Sequence, residues 1–148
     1  MKKRIKIAKV TPKAYEPLIA LENYIASCKI DKILYELIKI RASQINKCAY
    51  CLNMHTRDAL KAGESQQRIF LLNAWRETHL FSEKEKAVLA LTEEMTLIAN
   101  KGVSEDVYNE VSTHFNDEEL STIMMCIVAI NAWNRIAIAN KLEIDDLE

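Results

Sequence analysis

Glycine and proline each occur only twice in 148 residues, and this scarcity constrains the fold more than any other feature of the chain. Hairpins and tight turns draw on glycine for positive φ and on proline for a fixed φ, so strand-and-turn architectures use both heavily. A chain this poor in both is left with helices joined by short links. The length is that of one domain, expected to span residues 1–148. A domain of that size buries about two-thirds of its unfolded surface and needs neither metal nor disulfide to stay folded. Hydrophobic residues at 49% and charged residues at 28% exclude disorder. A net charge of −1 gives nucleic acid nothing to bind, and the basic start Lys2-Lys3-Arg4-Ile5-Lys6 is too short to supply it. Lys6 and Lys9 interrupt any signal-peptide core, and no stretch reaches the roughly 18 apolar residues of a membrane span. A cytoplasmic location without a membrane partner is therefore expected.

Residues 1–11 alternate apolar and basic and read as an extended arm. Pro12 and Pro17 open a helix through Leu18, Leu21, Tyr24 and Ile25, and Asp31 caps a second through Ile33, Leu34, Leu37 and Ile40. That second helix should falter near Gln44-Ile45-Asn46-Lys47. A third runs from Cys48 to Ala62 and stops at Gly63. Ser65 caps a fourth with Ile69, Phe70, Leu72 and Trp75. Ser82-Glu83-Lys84-Glu85 is a capping box for a fifth that runs to Gly102. Ser104 caps a sixth, and Asn116 or Asp117 a long last helix, apolar nearly all round and so a central one. The expected class is all-α.

Cys48, Cys51 and His55 stand at helical spacing. At about 100° per residue they fall within a sector of roughly 60°, and side chains three and four apart are neighbours. The two thiols are near disulfide geometry. A helix beginning after Asn46-Lys47 places them in its first turn, where unpaired N–H groups and the positive end of the macrodipole favour a thiolate. Such a thiolate reacts with peroxide to a sulfenic acid, which a nearby thiol converts to a disulfide. A structural zinc site is the competing reading, but it needs a fourth ligand from His79, His114, Cys126 or a distant acid. Simple packing of two small apolar residues is the third. Cys28 and Cys126 read as core, His79 and His114 as helix-end residues, and Trp75 and Trp133 as core or interface anchors. Arg41 and Arg135 are expected to pair with helix acids.

The run from Leu34 to Gly63 resembles the core of the alkylhydroperoxidase AhpD-like branch of the carboxymuconolactone decarboxylase family. The shared pattern is Glu36, eleven intervening residues, then Cys48-x-x-Cys51-x-x-x-His55. Ile130-Asn131-Ala132-Trp133-Asn134-Arg135 is similar to this branch as well. The resemblance implies an AhpD-like bundle of about six to seven helices, assembling as a homotrimer or homohexamer, with a cofactor-free thiol peroxidase site. By it, Cys51 attacks a hydroperoxide substrate, Cys48 resolves the sulfenic acid, and Glu36 with His55 forms a proton relay. The reductant would be a thiol or a lipoyl-type protein. Glu36 has no such role in the spacing alone: on one continuous helix it lies about 120° from Cys48 and reads as a solvated acid. The best-known peroxidase members carry histidine between the cysteines, where this chain has Tyr50. Thiol–disulfide exchange or redox sensing is the alternative function. A lactone-decarboxylating lyase fits less well, because those relatives generally lack the cysteine pair.

Overall fold

Five helices begin on a side-chain cap announced by the sequence, in a computed structural model that describes residues 4–144. Asp31, Ser65, Ser82, Ser104 and Asn116 each accept a backbone N–H three residues on. They open α3 (Lys32–Asn46), α5 (Gln66–Leu71), α6 (Glu83–Thr96), α8 (Glu105–His114) and α9 (Asp117–Asn140). Glu85 and Glu119 complete reciprocal capping boxes at α6 and α9. The others are α1 (Ile7–Val10), α2 (Pro12–Ser27), α4 (Ala49–Lys61) and α7 (Ile98–Lys101). No strand occurs among the described residues, and the fold is all-α.

Among the described residues nine helices replace the expected six to seven, because short pieces are cut off or added. The expected arm is not extended: residues 1–3 lie outside the described residues, and Ile7–Val10 forms one turn, α1. Tertiary contacts hold it, since Asn140 Oδ1 accepts the Ile7 N–H and Arg4 donates to the Ala139 carbonyl on α9. The helix expected to reach Gly102 breaks at Leu97, beyond which Leu97 and Ile98 are exposed and no core face sustains it. The fourth helix continues past Leu71 as a 3₁₀ segment, Leu72–Glu77, kinked at Ala74. There Trp75 is drawn inward, its indole N–H donating to Glu93 at 2.9 Å.

Helix α3 is the hub, packing against α4, α6 and α9. One apolar cluster joins α3, α6 and α9 through Ile38, Leu91 and Ile127. A second joins α3 to the 3₁₀ segment through Leu37, Leu72 and Trp75. A third gathers Ala42, Ile130 and Ala137 around the cysteine pair. Helix α9 does reach the length and hydropathy of a membrane span, contrary to expectation, with a mean hydropathy of 1.5 over 18 residues. Its charges are Asp117, Glu118 and Glu119 in the first turn and Arg135 beyond, its other polar members are Ser, Thr and Asn, and it packs against α2, α3, α4, α6 and α8. Cys126 is core as expected. Cys28 is not: it terminates α2, half-buried, with its thiol directed to the Tyr24 carbonyl.

Candidate active site

The site begins with the way α3 ends. Lys47 adopts the left-handed conformation (φ 58°, ψ 42°), and the N–H groups of Lys47 and Cys48 bond to the carbonyls of Gln44 and Ser43 at 3.3 and 3.0 Å. This paired closure is a Schellman motif, built here without glycine. An amide ladder from α9 fixes it. Asn46 donates to Asn131 and to Asn134, both at 2.9 Å, and the buried Asn134 donates to Ser43 at 3.0 Å. Asn131 in turn donates to Thr96 at 3.1 Å.

The chain folds back and α4 starts at once. Cys48 is its N-cap, with the sulfur accepting the Cys51 N–H at 3.4 Å. Cys48 and Cys51 form a disulfide with Cα atoms 5.4 Å apart. The fold-back also places α4 along α3, and His55 Nδ1 lies 2.8 Å from Glu36 Oε2, both side chains buried. All four residues singled out in the sequence, Glu36, Cys48, Cys51 and His55, are thus brought together. Glu36 joins the others only through the break at Lys47.

Both cysteines are nearly sealed, Cys48 at 1% and Cys51 at 2% exposure, but their surroundings differ. Cys51, His55 and Glu36 line a cleft of about 370 Å³, which Cys48 does not line, though both sulfurs belong to the third apolar cluster. Tyr15, Tyr50 and Trp133 line the cleft as well, with Tyr15 and Trp133 edge-to-face at 4.8 Å. Deeper in, Lys39 is 1% exposed and ion-paired with Glu22. Glu22 also accepts the Tyr35 hydroxyl at 2.7 Å and the Trp133 indole N–H at 2.9 Å. Burial pushes the Glu22 carboxyl up, but the Lys39 ammonium and these hydrogen bonds outweigh it and hold the pKa below the usual range. Burial pushes the Cys126 thiol up too, and there it prevails, to about 12, which removes it from thiolate chemistry.

Sequence reasoning missed Glu22, Lys39, Tyr15 and Asp58. Asp58 sits three residues beyond His55 on the same helix face, its carboxylate within 4.8 Å of the Glu36 and His55 ligand atoms. The spacing from His55 was a readable signal; the lysine gave none. Trp133, expected as a core or interface anchor, is also a cleft wall. His79 lies between the 3₁₀ segment and α6, whereas His114 closes α8 beside Glu110. Arg41 pairs with Glu93 as expected, while Arg135 bonds to Asn131 rather than to an acid. The competing zinc grouping of Cys48, Cys51 and His55 is not seen among the described residues: the two sulfurs are joined as a disulfide, and disulfide sulfurs are not thiolate ligands.

The uncharacterized protein YdfG of Bacillus subtilis is 42% identical over 139 residues, 94% of this chain and 95% of that protein. A protein of unknown function from Agrobacterium tumefaciens, a candidate antioxidant defence protein AhpD, is 40% identical in its crystal structure. It superposes with a TM-score of 0.94 over 99% of this chain and 100% of that one. An uncharacterized peroxidase-related protein from Silicibacter sp., 24% identical, shares the fold at a TM-score of 0.78 over 90% of this chain and 71% of that one. Residues 12–94, which carry α2 through α6 and all four site residues, match the carboxymuconolactone decarboxylase family. The chain belongs to that family, in its AhpD-like branch.

Proposed function

We propose that this protein is a thiol-dependent peroxidase that reduces hydroperoxides through reversible formation of the Cys48–Cys51 disulfide. The observation that carries the reading is the disposition of the pair, with Cys51 lining a cleft beside the His55–Glu36 dyad and Cys48 outside its lining. In the reduced protein, His55 Nδ1–H donates to Glu36, which leaves Nε2 to take the Cys51 proton. The thiolate attacks the outer peroxide oxygen, the O–O bond breaks, and the departing alkoxide recovers the proton as alcohol. Cys51 is left as a sulfenic acid. Cys48 attacks that sulfur, the S–O bond breaks, hydroxide leaves as water, and the disulfide forms. Two thiols supply two electrons to one hydroperoxide, and two external thiols, or one dithiol, restore them.

Stoichiometric peroxide added to the reduced protein should consume two thiols per chain, read by thiol titration and mass spectrometry. Cys51→Ser should abolish peroxide reduction, and Cys48→Ser should accumulate a sulfenic acid one oxygen heavier. Full peroxidase activity in Cys51→Ser would refute the assignment. The second reading is thiol–disulfide exchange with no significant peroxide turnover. It is favoured by Tyr50 occupying the cleft wall between the cysteines, where the best-known peroxidases carry an imidazole. A dithiol that equilibrates with thiol buffers yet barely reacts with peroxide would establish it.

A further inference from the structure

The charges facing the cleft are unbalanced. Glu22 on α2, Glu36 on α3 and Asp58 on α4 line it as carboxylates, against one ammonium, Lys39, and the imidazole of His55. No charged residue of α9 lines it. With the imidazole neutral, three negative charges meet one positive, leaving two negative charges over. Lys39 is no anion receptor despite its position, since Glu22 already holds its ammonium in direct contact and the Tyr35 ring covers it at 4.5 Å. Lys61 meets Asp58 at 3.2 Å from outside the cleft, but it is 77% exposed, and a pair in that setting is largely screened. The remaining walls are aromatic and aliphatic, through Tyr15, Tyr50, Met54, Trp133 and Ile136.

We propose that this cleft selects its reactants by charge, admitting neutral or cationic thiols to the Cys48–Cys51 disulfide and rejecting carboxylate-bearing ones. The inference rests on the redox reading of the cysteine pair and adds the class of reductant to it. The incoming thiolate attacks Cys51 Sγ, the sulfur that lines the cleft. The S–S bond breaks, and Cys48 leaves as a thiolate stabilised by the Cys51 N–H and the helix start. A second thiol then attacks the outer sulfur of the mixed disulfide, releasing Cys51 and the oxidised reductant. A negative group elsewhere on the reductant has to be carried past Asp58 and Glu36. At an effective dielectric between those of protein and water, the two unmatched charges together alter that approach by about tenfold.

Three small thiols of similar size test this: cysteamine, mercaptoethanol and mercaptopropionate, which bear an ammonium, a hydroxyl and a carboxylate. Each rate of reduction of the oxidised protein, counted per thiolate, is divided by the rate of the same thiol on hydroxyethyl disulfide, which cancels intrinsic nucleophilicity. The expected order is cysteamine, then mercaptoethanol, then mercaptopropionate, with about tenfold between neighbours at low salt and less at high salt. Asp58→Asn should narrow the gap between mercaptoethanol and mercaptopropionate by about threefold. Equal normalised rates, or a fastest reaction with mercaptopropionate, would overturn charge selection while leaving the disulfide chemistry intact. Failure of all three thiols and of dithiothreitol to reduce the pair would overturn both readings.

Discussion

Glu36 is an ordinary helix acid until the chain breaks at Lys47, and its partnership with His55 is therefore the residue-scale test of the site. The 2.8 Å contact to a carboxylate orients the imidazole with Nδ1 as the donor; the proposed chemistry belongs to the other ring nitrogen. His55→Gln should slow oxidation of the reduced protein by peroxide about 10²-fold, the lower end of what a positioned base contributes. Glu36→Gln should slow it by less, since an amide still holds the ring while stabilising its charged form less. Stopped-flow tryptophan fluorescence or quenched thiol titration reads both, and a Glu36→Gln rate equal to wild type would remove Glu36 from the relay. The limits of sequence reasoning show clearly among these residues. Cys48, Cys51 and His55 lie within eight positions and helical geometry alone brings them together. Glu36 was legible only through family resemblance. Lys39 and Glu22, seventeen positions apart on different helices, carried no local signal: their pairing is made by the packing of α2 on α9 and of α9 on α3.

The same contrast holds for the elements. Caps at Asp31, Ser65, Ser82, Ser104 and Asn116 were readable because each is a contact between a side chain and a backbone three residues away. The break at Leu97, the 3₁₀ segment and α1 were not, because burial and long-range contacts decide them. Helix α4 joins a local cap to the proposed chemistry, since its N-cap is Cys48, the resolving cysteine of that reaction. Serine is a stronger N-cap than a thiol, whereas alanine cannot accept the Cys51 N–H. Compared in their reduced states, Cys48→Ser should therefore match or slightly exceed wild-type stability. Cys48→Ala should lose about 1 kcal/mol. Denaturant melts under reducing conditions separate the two, and an equal loss in both would show that the sulfur does not cap the helix. Lys47 offers a second element-scale test. A non-glycine residue at φ 58° is strained, and Lys47→Gly should stabilise the α3 terminus by about 0.5 kcal/mol, visible as a rise in melting temperature.

At the scale of the whole molecule, three helices distant in sequence meet at one carboxylate. Glu22 on α2 takes Lys39 and Tyr35 from α3 and Trp133 from α9. Helix α2 has a single fully buried residue, Ile25, so this polar junction does for its attachment what apolar burial does elsewhere. The folded-state pKa of Glu22 lies below its unfolded value, so its contribution to stability is complete above about pH 4.5 and is lost as pH falls through the folded value. Glu85 and Glu93 act in the same direction. Burial pushes each up, and Arg68 and the Ser82 backbone, or Trp75, Arg76 and Arg41, bring each down further. Acid should therefore destabilise the fold mainly below the ordinary carboxylate range, with little change between pH 6 and 8 from these groups. Replacing Glu22 by glutamine keeps two hydrogen-bond acceptor lone pairs but leaves the Lys39 ammonium buried beside a neutral amide. Removing one partner of a buried pair costs about 3 kcal/mol, here at the low end because the Glu22 side chain is 20% exposed. Glu22→Gln should thus be markedly less stable at pH 7 and should lose less than wild type on going to pH 3. Lys39→Met, which removes the buried charge and leaves the partly exposed carboxylate, should cost less than Glu22→Gln. Urea melts across this pH range decide the matter: parallel curves for Glu22→Gln and wild type would show that the junction contributes nothing to acid sensitivity. A larger loss in Lys39→Met would place the cost in packing rather than charge.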